Sequence, residues 1–471
     1  MRRLAAVALA ALALPACAFT QKPAWELPPP PARDAPVVPE GSLHRTALDN
    51  GVEVLVLEDR RLPRVTLGVT VRRGDGAVPI EKAGLAGFTA EVMSRGAGSR
   101  DALALARATD EIGAGLEVGS GWDSMTVQVG GLSRDLDRLL EILADVALRP
   151  RFEAGEARKA RGEILAALEQ AKDDPATLAR RQLLRVLYDG HSYGAPDGGL
   201  PETVSRFEAR DAREFHRGVF VPNDAILFAA GDVDMDTLLP KLTAAFGAWQ
   251  AADPVDAGPA PPERVPAERR ITVVDRPDLG QARILLAHEG IARSNPDRIG
   301  AGLLNTVLGG GGFSSRLIER LRVDEGLTYG VGSGFNMRRH PGPFSVSTFT
   351  RVAEVRRTLD LTLAELERIR SEPPGGAELK GAKAQLVGRF SLGLETSAAV
   401  MSSLVDLEIY GLPEDSLDTY RGRVRAVTPD DAARLARELI HPERMAIVLV
   451  GPAEAIVPQV QDLGPVEVVK P

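Results

Sequence analysis

Three stretches of this chain hold residue types at spacings that could do chemistry. The first, Gly190-His191-Ser192-Tyr193-Gly194, spells G-x-S-x-G, a turn that exposes a nucleophilic serine when a strand leads into it and a helix leaves it. Here residues 178–188 (LARRQLLRVLY) carry a helical period and residues 195–199 (APDGG) are turn formers, so a helix-ending loop is expected instead. The second is residues 83–93 (AGLAGFTAEVM). Leu85, Phe88 and Val92 form an apolar stripe there, while Gly87 and Glu91, four apart, share another face. A later helical stretch places Glu156 and Glu163 seven apart on one face. Such carboxylates can hold a hard cation through oxygen, although a glutamate on an exposed helix is ordinarily just solvated. The third is residues 308–330 (LGGGGFSSRLIERLRVDEGLTYG). Gly309, Gly310, Gly311 and Gly312 offer a backbone that a ligand can approach closely, but the Gly-Lys-Ser/Thr of a phosphate loop does not follow them. Next comes a short helix with Leu317, Ile318 and Leu321 on its apolar side and Arg322 near its end. Gly326 breaks it, and Leu327-Thr328-Tyr329-Gly330-Val331 reads as a strand with Tyr329 half-buried.

The elements that must position these residues are written twice. Residues 251–268 (AADPVDAGPAPPERVPAE) have no apolar period and read as a linker. On either side the segments end alike: Pro222 precedes a β-like run closing at Gly231, and Pro442 precedes another closing at Gly451. Asp211-Ala212-Arg213 and Asp431-Ala432-Ala433 share that offset and sit in comparable helices, so the chain is read as a duplication, residues 41–250 and 269–460. Within the first copy Asn50-Gly51 marks a tight turn before a strand. Helical patterns follow over 80–94, 101–112, 133–147 and 153–171, and Asn295-Pro296 looks like a helix start in the second copy. Strands and helices in runs, without regular βαβ alternation, predict an α+β fold.

Composition removes other classes. The 471 residues carry 57 Lys plus Arg against 65 Asp plus Glu, a formal charge of −8 with no basic footprint for nucleic acid or an anionic membrane. A lone cysteine, Cys17, excludes an internal disulfide or a cysteine-rich metal cluster. It lies at the end of Met1-Arg2-Arg3 and an apolar run, the layout of an export signal over residues 1–18. Leu14-Pro15-Ala16-Cys17 resembles a bacterial lipobox with an unusual proline, and Ala16-Cys17-Ala18 equally reads as a site for ordinary cleavage. Lipid-anchored and soluble periplasmic forms are both open, and a lipid at Cys17 would be the sole link to a membrane. Residues 19–40, with four consecutive prolines, read as an extended tether.

From about residue 43 to 456 the chain resembles the pitrilysin or insulinase-type zinc peptidases, the inverzincins. The matching residues run in order through both copies: Leu48-Asp49-Asn50-Gly51-Val52, Gly84-Leu85-Ala86, Glu156 and Glu163, His191-Ser192-Tyr193-Gly194, Pro222-Asn223, Leu308-Gly309-Gly310, Ser315-Arg316-Leu317, Leu321-Arg322 and Gly326-Leu327-Thr328-Tyr329. The resemblance implies two homologous α+β halves, each of two similar subdomains with antiparallel-rich sheets covered by helices, closing as a clamshell around a peptide chamber.

The motif that carries the family's chemistry departs. Active members bind Zn²⁺ with His-x-x-Glu-His on the helix that matches residues 83–93, with the Glu as general base. Anchored on Gly84-Leu85-Ala86, those positions are Gly87, Ala90 and Glu91 here, so the resemblance implies no metal in this chain. The family's distal Glu ligand and its supporting Glu match Glu163 and Glu156, left as relics. The six histidines, His44, His191, His216, His288, His340 and His441, are nowhere closer than 25 residues apart. Yet Arg322 and Tyr329 match the pair that reaches toward substrate in the family. The resemblance therefore implies a zinc-free subunit of a periplasmic heterodimeric metallopeptidase, with zinc expected in a homologous partner. Residues 309–312 sit where a related non-catalytic subunit has a substrate-contacting glycine loop. The alternative is a structural or peptide-binding member that is no enzyme.

Overall fold

Period-two runs of valine, isoleucine and leucine become two six-stranded sheets in the computed structural model, which describes residues 35–196, 198–256, 258, 260–261 and 268–471. The export segment 1–18 with Cys17 and the tether up to residue 34 lie outside the described residues, as does part of the linker 251–268. Residues Pro36–Pro471 form one compact unit. The strands are β1 (Leu43–Ala47), β2 (Glu53–Glu58), β3 (Arg64–Val71), the short pair β4 (Gly96–Ala97) and β5 (Arg100–Asp101), β6 (Gly115–Ser120), β7 (Met125–Leu132) and β8 (Ala225–Gly231). The second half adds β9 (Arg270–Asp275), β10 (Gln281–Glu289), β11 (Val331–Phe335), β12 (Pro343–Arg351), β13 (Ala446–Gly451) and β14 (Val466–Val469).

The first sheet runs β1-β2-β8-β3-β7-β6 and the second β11-β12-β10-β13-β9-β14. Read in opposite directions the two orders coincide. In each, a strand buried along its whole length, β8 or β13, pairs parallel on one side and antiparallel on the other. The repeat covers five strands; the sixth comes from the start of the fold in one half, as β1 antiparallel to β2, and from its end in the other, as β14 parallel to β9. This mixed α+β architecture agrees with the expected class. Each half contains one six-stranded sheet covered by helices, as the expected α+β halves require.

Helices cover both sheets. Leu85–Met93, Leu136–Leu148 and Ala209–Val219 enclose the first core, with Phe88, Leu139, Ile142 and Val219 fully or nearly fully buried. Arg298–Asn305, Val355–Ser371, Pro429–Leu439 and Ala453–Val460 do so in the second. The former helix starts two residues later than Asn295-Pro296 suggested. The Asn295 carboxamide oxygen accepts from the Asp297 backbone N–H at 2.8 Å, closing a turn ahead of the helix.

The other faces are closed reciprocally. Pro175–Leu187, from the first half, lays Leu178, Leu183 and Leu187 on Leu285, Val448 and Val450 of the second sheet. Ser397–Tyr410, from the second half, lays Met401 and Leu404 on Leu55, Leu57, Ile226 and Phe228 of the first. Each half thus completes the core of the other. No helix among the described residues is long and apolar enough to cross a membrane.

Candidate functional site

The helix Leu85–Met93 is aimed by a backbone constraint. Gly84 caps it at φ 89°, and a β-carbon there would stand 2.7 Å from the Gly199 α-carbon, so only glycine fits. Seven of its side chains are buried and bond it to the first core, leaving Gly87 and Glu91 partly exposed. Of the three positions where the zinc motif was expected, Gly87 and Ala90 therefore have no donor atom to offer. Glu91 has one, and it is already engaged.

Its partner is Arg95, a residue that the sequence reading passed over. The Arg95 guanidinium lies 2.5 Å from Glu91 and 2.5 Å from Glu163, and 3.9 Å from Glu156. Glu156 is also paired with Lys159 at 2.6 Å. The helix Ala154–Gln170 brings Glu156 and Glu163 onto the side facing Leu85–Met93, as the seven-residue spacing required. The hydrogen bond from Arg95 holds the Glu163 carboxyl below its usual range, and the two carboxylates raise the arginine's own pKa. Three acidic side chains in the expected ligand region thus surround the Arg95 guanidinium. This arrangement does not fit zinc: two positions lack donors, and the remaining carboxylates already have a counter-charge. The signal available in the sequence was the i,i+4 spacing of Glu91 and Arg95.

Histidines are spent elsewhere. His216 Nε2 meets the Ala147 carbonyl at 2.9 Å, and its ring stacks on Phe220. In His288, Nδ1 meets the Glu289 carbonyl at 2.7 Å and Nε2 accepts from the His441 backbone N–H. Burial pushes both down to about 4. Among the described residues no group of three or more His, Cys, Asp or Glu could hold a metal ion.

The G-x-S-x-G stretch is the helix-ending loop that its context predicted. Ser192–Gly194 form one 3₁₀ turn behind Pro175–Leu187, with the Ser192 hydroxyl 3.3 Å from the Gly76 carbonyl. Tyr193 is the buried element: it packs on Trp122 and Tyr188, and the Arg338 guanidinium from the second half lies 4.5 Å from its ring centre. Its role is to join the halves.

In the second half the chain winds into two π-helical turns, Thr306–Gly310 and Glu319–Asp324, on either side of the glycine run. Such turns are uncommon and concentrate at functional sites. A β-carbon on Gly309, Gly310 or Gly311 would fall within 2.5 Å of Ser333 Oγ, Asn305 Nδ2 or the Thr306 carbonyl respectively. Gly309 and Gly311 are therefore required by close backbone packing, while at Gly310 the Asn305 side chain would have to shift. Gly312, at φ 69°, has open space beside it, and Phe313 follows, 72% exposed.

Arg322 projects from the second π-turn between two rings, 4.6 Å from the centre of Phe313 and 4.5 Å from that of Tyr329. Among the described residues it has no carboxylate partner, unlike Arg95. Tyr329 is 76% exposed, not half-buried, and the expected strand over residues 327–331 begins only at Val331. The cause is local: the Thr328 hydroxyl bonds both the Gly330 N–H and its carbonyl, and Thr348 takes that carbonyl too, so these backbone groups are withdrawn from a ladder. Sequence reasoning singled out Arg322 and Tyr329, and the structure adds Phe313, which follows the four glycines, beside Arg322. Among the described residues no hydrogen bond, ion pair or ring contact links this group to Glu91, Glu156 or Glu163.

Two family models match successive parts of the chain. Residues 53–197 match the description "Insulinase (Peptidase family M16)" and residues 206–386 match "Peptidase M16 inactive domain". An uncharacterized zinc protease of Streptomyces coelicolor is 27% identical over 416 residues, 88% of this chain and 90% of the relative. One from Bacillus subtilis is 24% identical over 414 residues, 87% and 98%. A crystal structure of a peptidase M16 inactive domain from Pseudomonas fluorescens superposes with a TM-score of 0.81 at 25% identity, over 87% of this chain and 98% of that one. The periplasmic protease PqqL of Escherichia coli shares the fold, with a TM-score of 0.73 at 16% identity over 90% of this chain and 49% of its own. With two domain descriptions of one family matched in order, and relatives aligned over nearly their full length, the chain belongs to the M16 insulinase-type peptidase family.

Proposed function

We propose that this chain is the zinc-free subunit of a heterodimeric periplasmic metallopeptidase. A homologous partner carrying His-x-x-Glu-His supplies the zinc, and this chain supplies half of the peptide chamber with Arg322 and Tyr329. The observation that carries the reading is the contrast between two arginines. Arg95 neutralises the carboxylates of the degenerate zinc site, whereas Arg322 is held between two exposed aromatic rings and has no carboxylate partner among the described residues. A guanidinium so placed, with the exposed Tyr329 hydroxyl, can donate hydrogen bonds to a peptide carbonyl or to an oxyanion forming on it. Gly312 and Phe313 are the part of the glycine loop that a peptide would meet. The export-type start of the chain supports a periplasmic location, with Cys17 lipidated or removed.

The test is reconstitution. Mixed with a zinc-bearing homologue, the chain should yield peptidase activity that it lacks alone, with one zinc per heterodimer. Arg322→Ala and Tyr329→Phe should each lower kcat/KM by about 10²-fold or more. Unchanged turnover in both variants would remove the assigned roles. A peptide-binding scaffold is the second reading, favoured by the pairing of Arg95 with Glu91 and Glu163; it predicts a stable complex whose partner also lacks the motif.

A further inference from the structure

The second half contains a cleft that none of the residues above uses. It has a volume of about 870 Å³ and lies between the helices Arg298–Asn305, Gly376–Leu392, Ser397–Tyr410 and Ser416–Ala426, beside the end of β11. That is the size of a site for a small organic molecule and far larger than a bare inorganic anion fills. Its charge is one-sided: three arginines line it against one carboxylate, Asp406. Arg389 donates to the Gly310 carbonyl at 3.2 Å, and Arg293 reaches Asp406 only at 3.9 Å. The Arg298 guanidinium meets no acceptor among the described residues. Burial and the charges of Arg423 and Arg293 hold its pKa below the ordinary arginine value, a strain that an anion in the cleft would relieve.

A second, independent group is waiting for a partner. Ser416 also lines the cleft, is only 6% exposed, and its hydroxyl oxygen is buried without any hydrogen bond. Buried hydroxyls are almost always bonded, so an orphan at a cleft wall points to a missing ligand atom. Most of the remaining wall is apolar, with the rings of Phe390 and Tyr420 stacked at 4.3 Å, while Asn336, Ser345 and Ser403 add polar groups.

We propose that this cleft binds a carboxylate carried on an apolar body, the carboxylate bonded by Arg298 and Ser416 and the body packed against the Phe390–Tyr420 stack. A guanidinium offers a carboxylate paired N–H donors, and a serine hydroxyl supplies one more. The site is separate from Arg322 and stands whether or not the two-subunit reading holds.

Two sources of that chemistry can be separated by calorimetric titration of the full chain. The probes are the tripeptide acid N-acetyl-Leu-Leu-Phe against its C-terminal amide, and decanoate against decanol. At least one acid is expected to bind at least 10-fold tighter than its neutral counterpart, and Arg298→Gln and Ser416→Ala should each weaken it several-fold while leaving the melting curve in place. Binding by the peptide acid identifies a peptide C-terminus, and binding by decanoate a free carboxylic acid. Failure of both acids, equal binding of acid and neutral forms, or indifference to both substitutions would overturn the proposal.

Discussion

Replacing Arg95 with alanine tests the idea that an arginine occupies the place of the metal. The substitution removes a cation whose side chain is 17% exposed and leaves Glu91, Glu156 and Glu163 facing one another. The Glu91 pair, four apart across the end of the helix Leu85–Met93, contributes only about 0.3–0.5 kcal/mol. Glu156 is 18% exposed and keeps Lys159. Adding the loss of charge-assisted hydrogen bonds at a half-buried cation gives a destabilisation of about 1–2 kcal/mol at neutral pH. The sign with pH follows from Glu163, whose carboxyl Arg95 holds below its usual range. Stabilisation from such a group is complete above the unfolded pKa of about 4.3 and is lost as pH falls through the depressed value. The gap between wild type and variant, measured by urea unfolding in low salt, should therefore be widest near pH 7 and close in acid. The freed carboxylates should also take a hard cation, so millimolar Mn²⁺ or Ca²⁺ should restore the variant and leave the wild type unmoved. An unchanged midpoint at pH 7, or the same cation response in both proteins, would refute the reasoning.

Other outcomes follow from the same structure. His216 and His288 are buried neutral with pKa values near 4. Protonation of the unfolded chain should thus erode stability as pH falls from about 6.5 to 4, by up to about 3 kcal/mol for each, and His216→Gln should flatten that slope in acid unfolding curves. Gly84→Val should cost about 3 kcal/mol or more, or prevent folding, since it forces a β-branched side chain to φ 89° against the Gly199 backbone; expression and melting temperature report it. Met401→Ala, fully buried on the first sheet, should cost about 2–5 kcal/mol and loosen both halves together in hydrogen exchange, although Met401 belongs to the second.

Much of this was legible where local chemistry decides. The Asn50-Gly51 turn, with Gly51 at φ 90°, the amphipathic helices and the 220-residue repeat of the β8 and β13 segments all depend on short-range patterns, and the structure follows them. The absence of a side-chain donor at Gly87 and Ala90 was equally plain, because glycine and alanine offer none in any fold. What escaped was long-range. Arg95 is a surface-type residue until Ala154–Gln170 folds back and sets Glu156 and Glu163 beside it. Tyr329 has the pattern of a strand residue, but the hydroxyls of Thr328 and Thr348 capture the Gly330 backbone and turn the ring outward. The orphan Ser416 hydroxyl depends on four helices meeting, which no spacing in the sequence announces.

The exchanged helices bear on how such a protein could admit a peptide. Swinging the two sheets apart would peel Pro175–Leu187 off β10 and β13 and Ser397–Tyr410 off β8 at the same time, exposing two cores at once. A pivot inside the chain is therefore costly, and its two halves travel as one jaw. On the two-subunit reading, the gap that a substrate enters has to open along the seam between chains, so subunit affinity itself becomes the gate, and weakening that seam would speed entry while thinning the population of assembled enzyme.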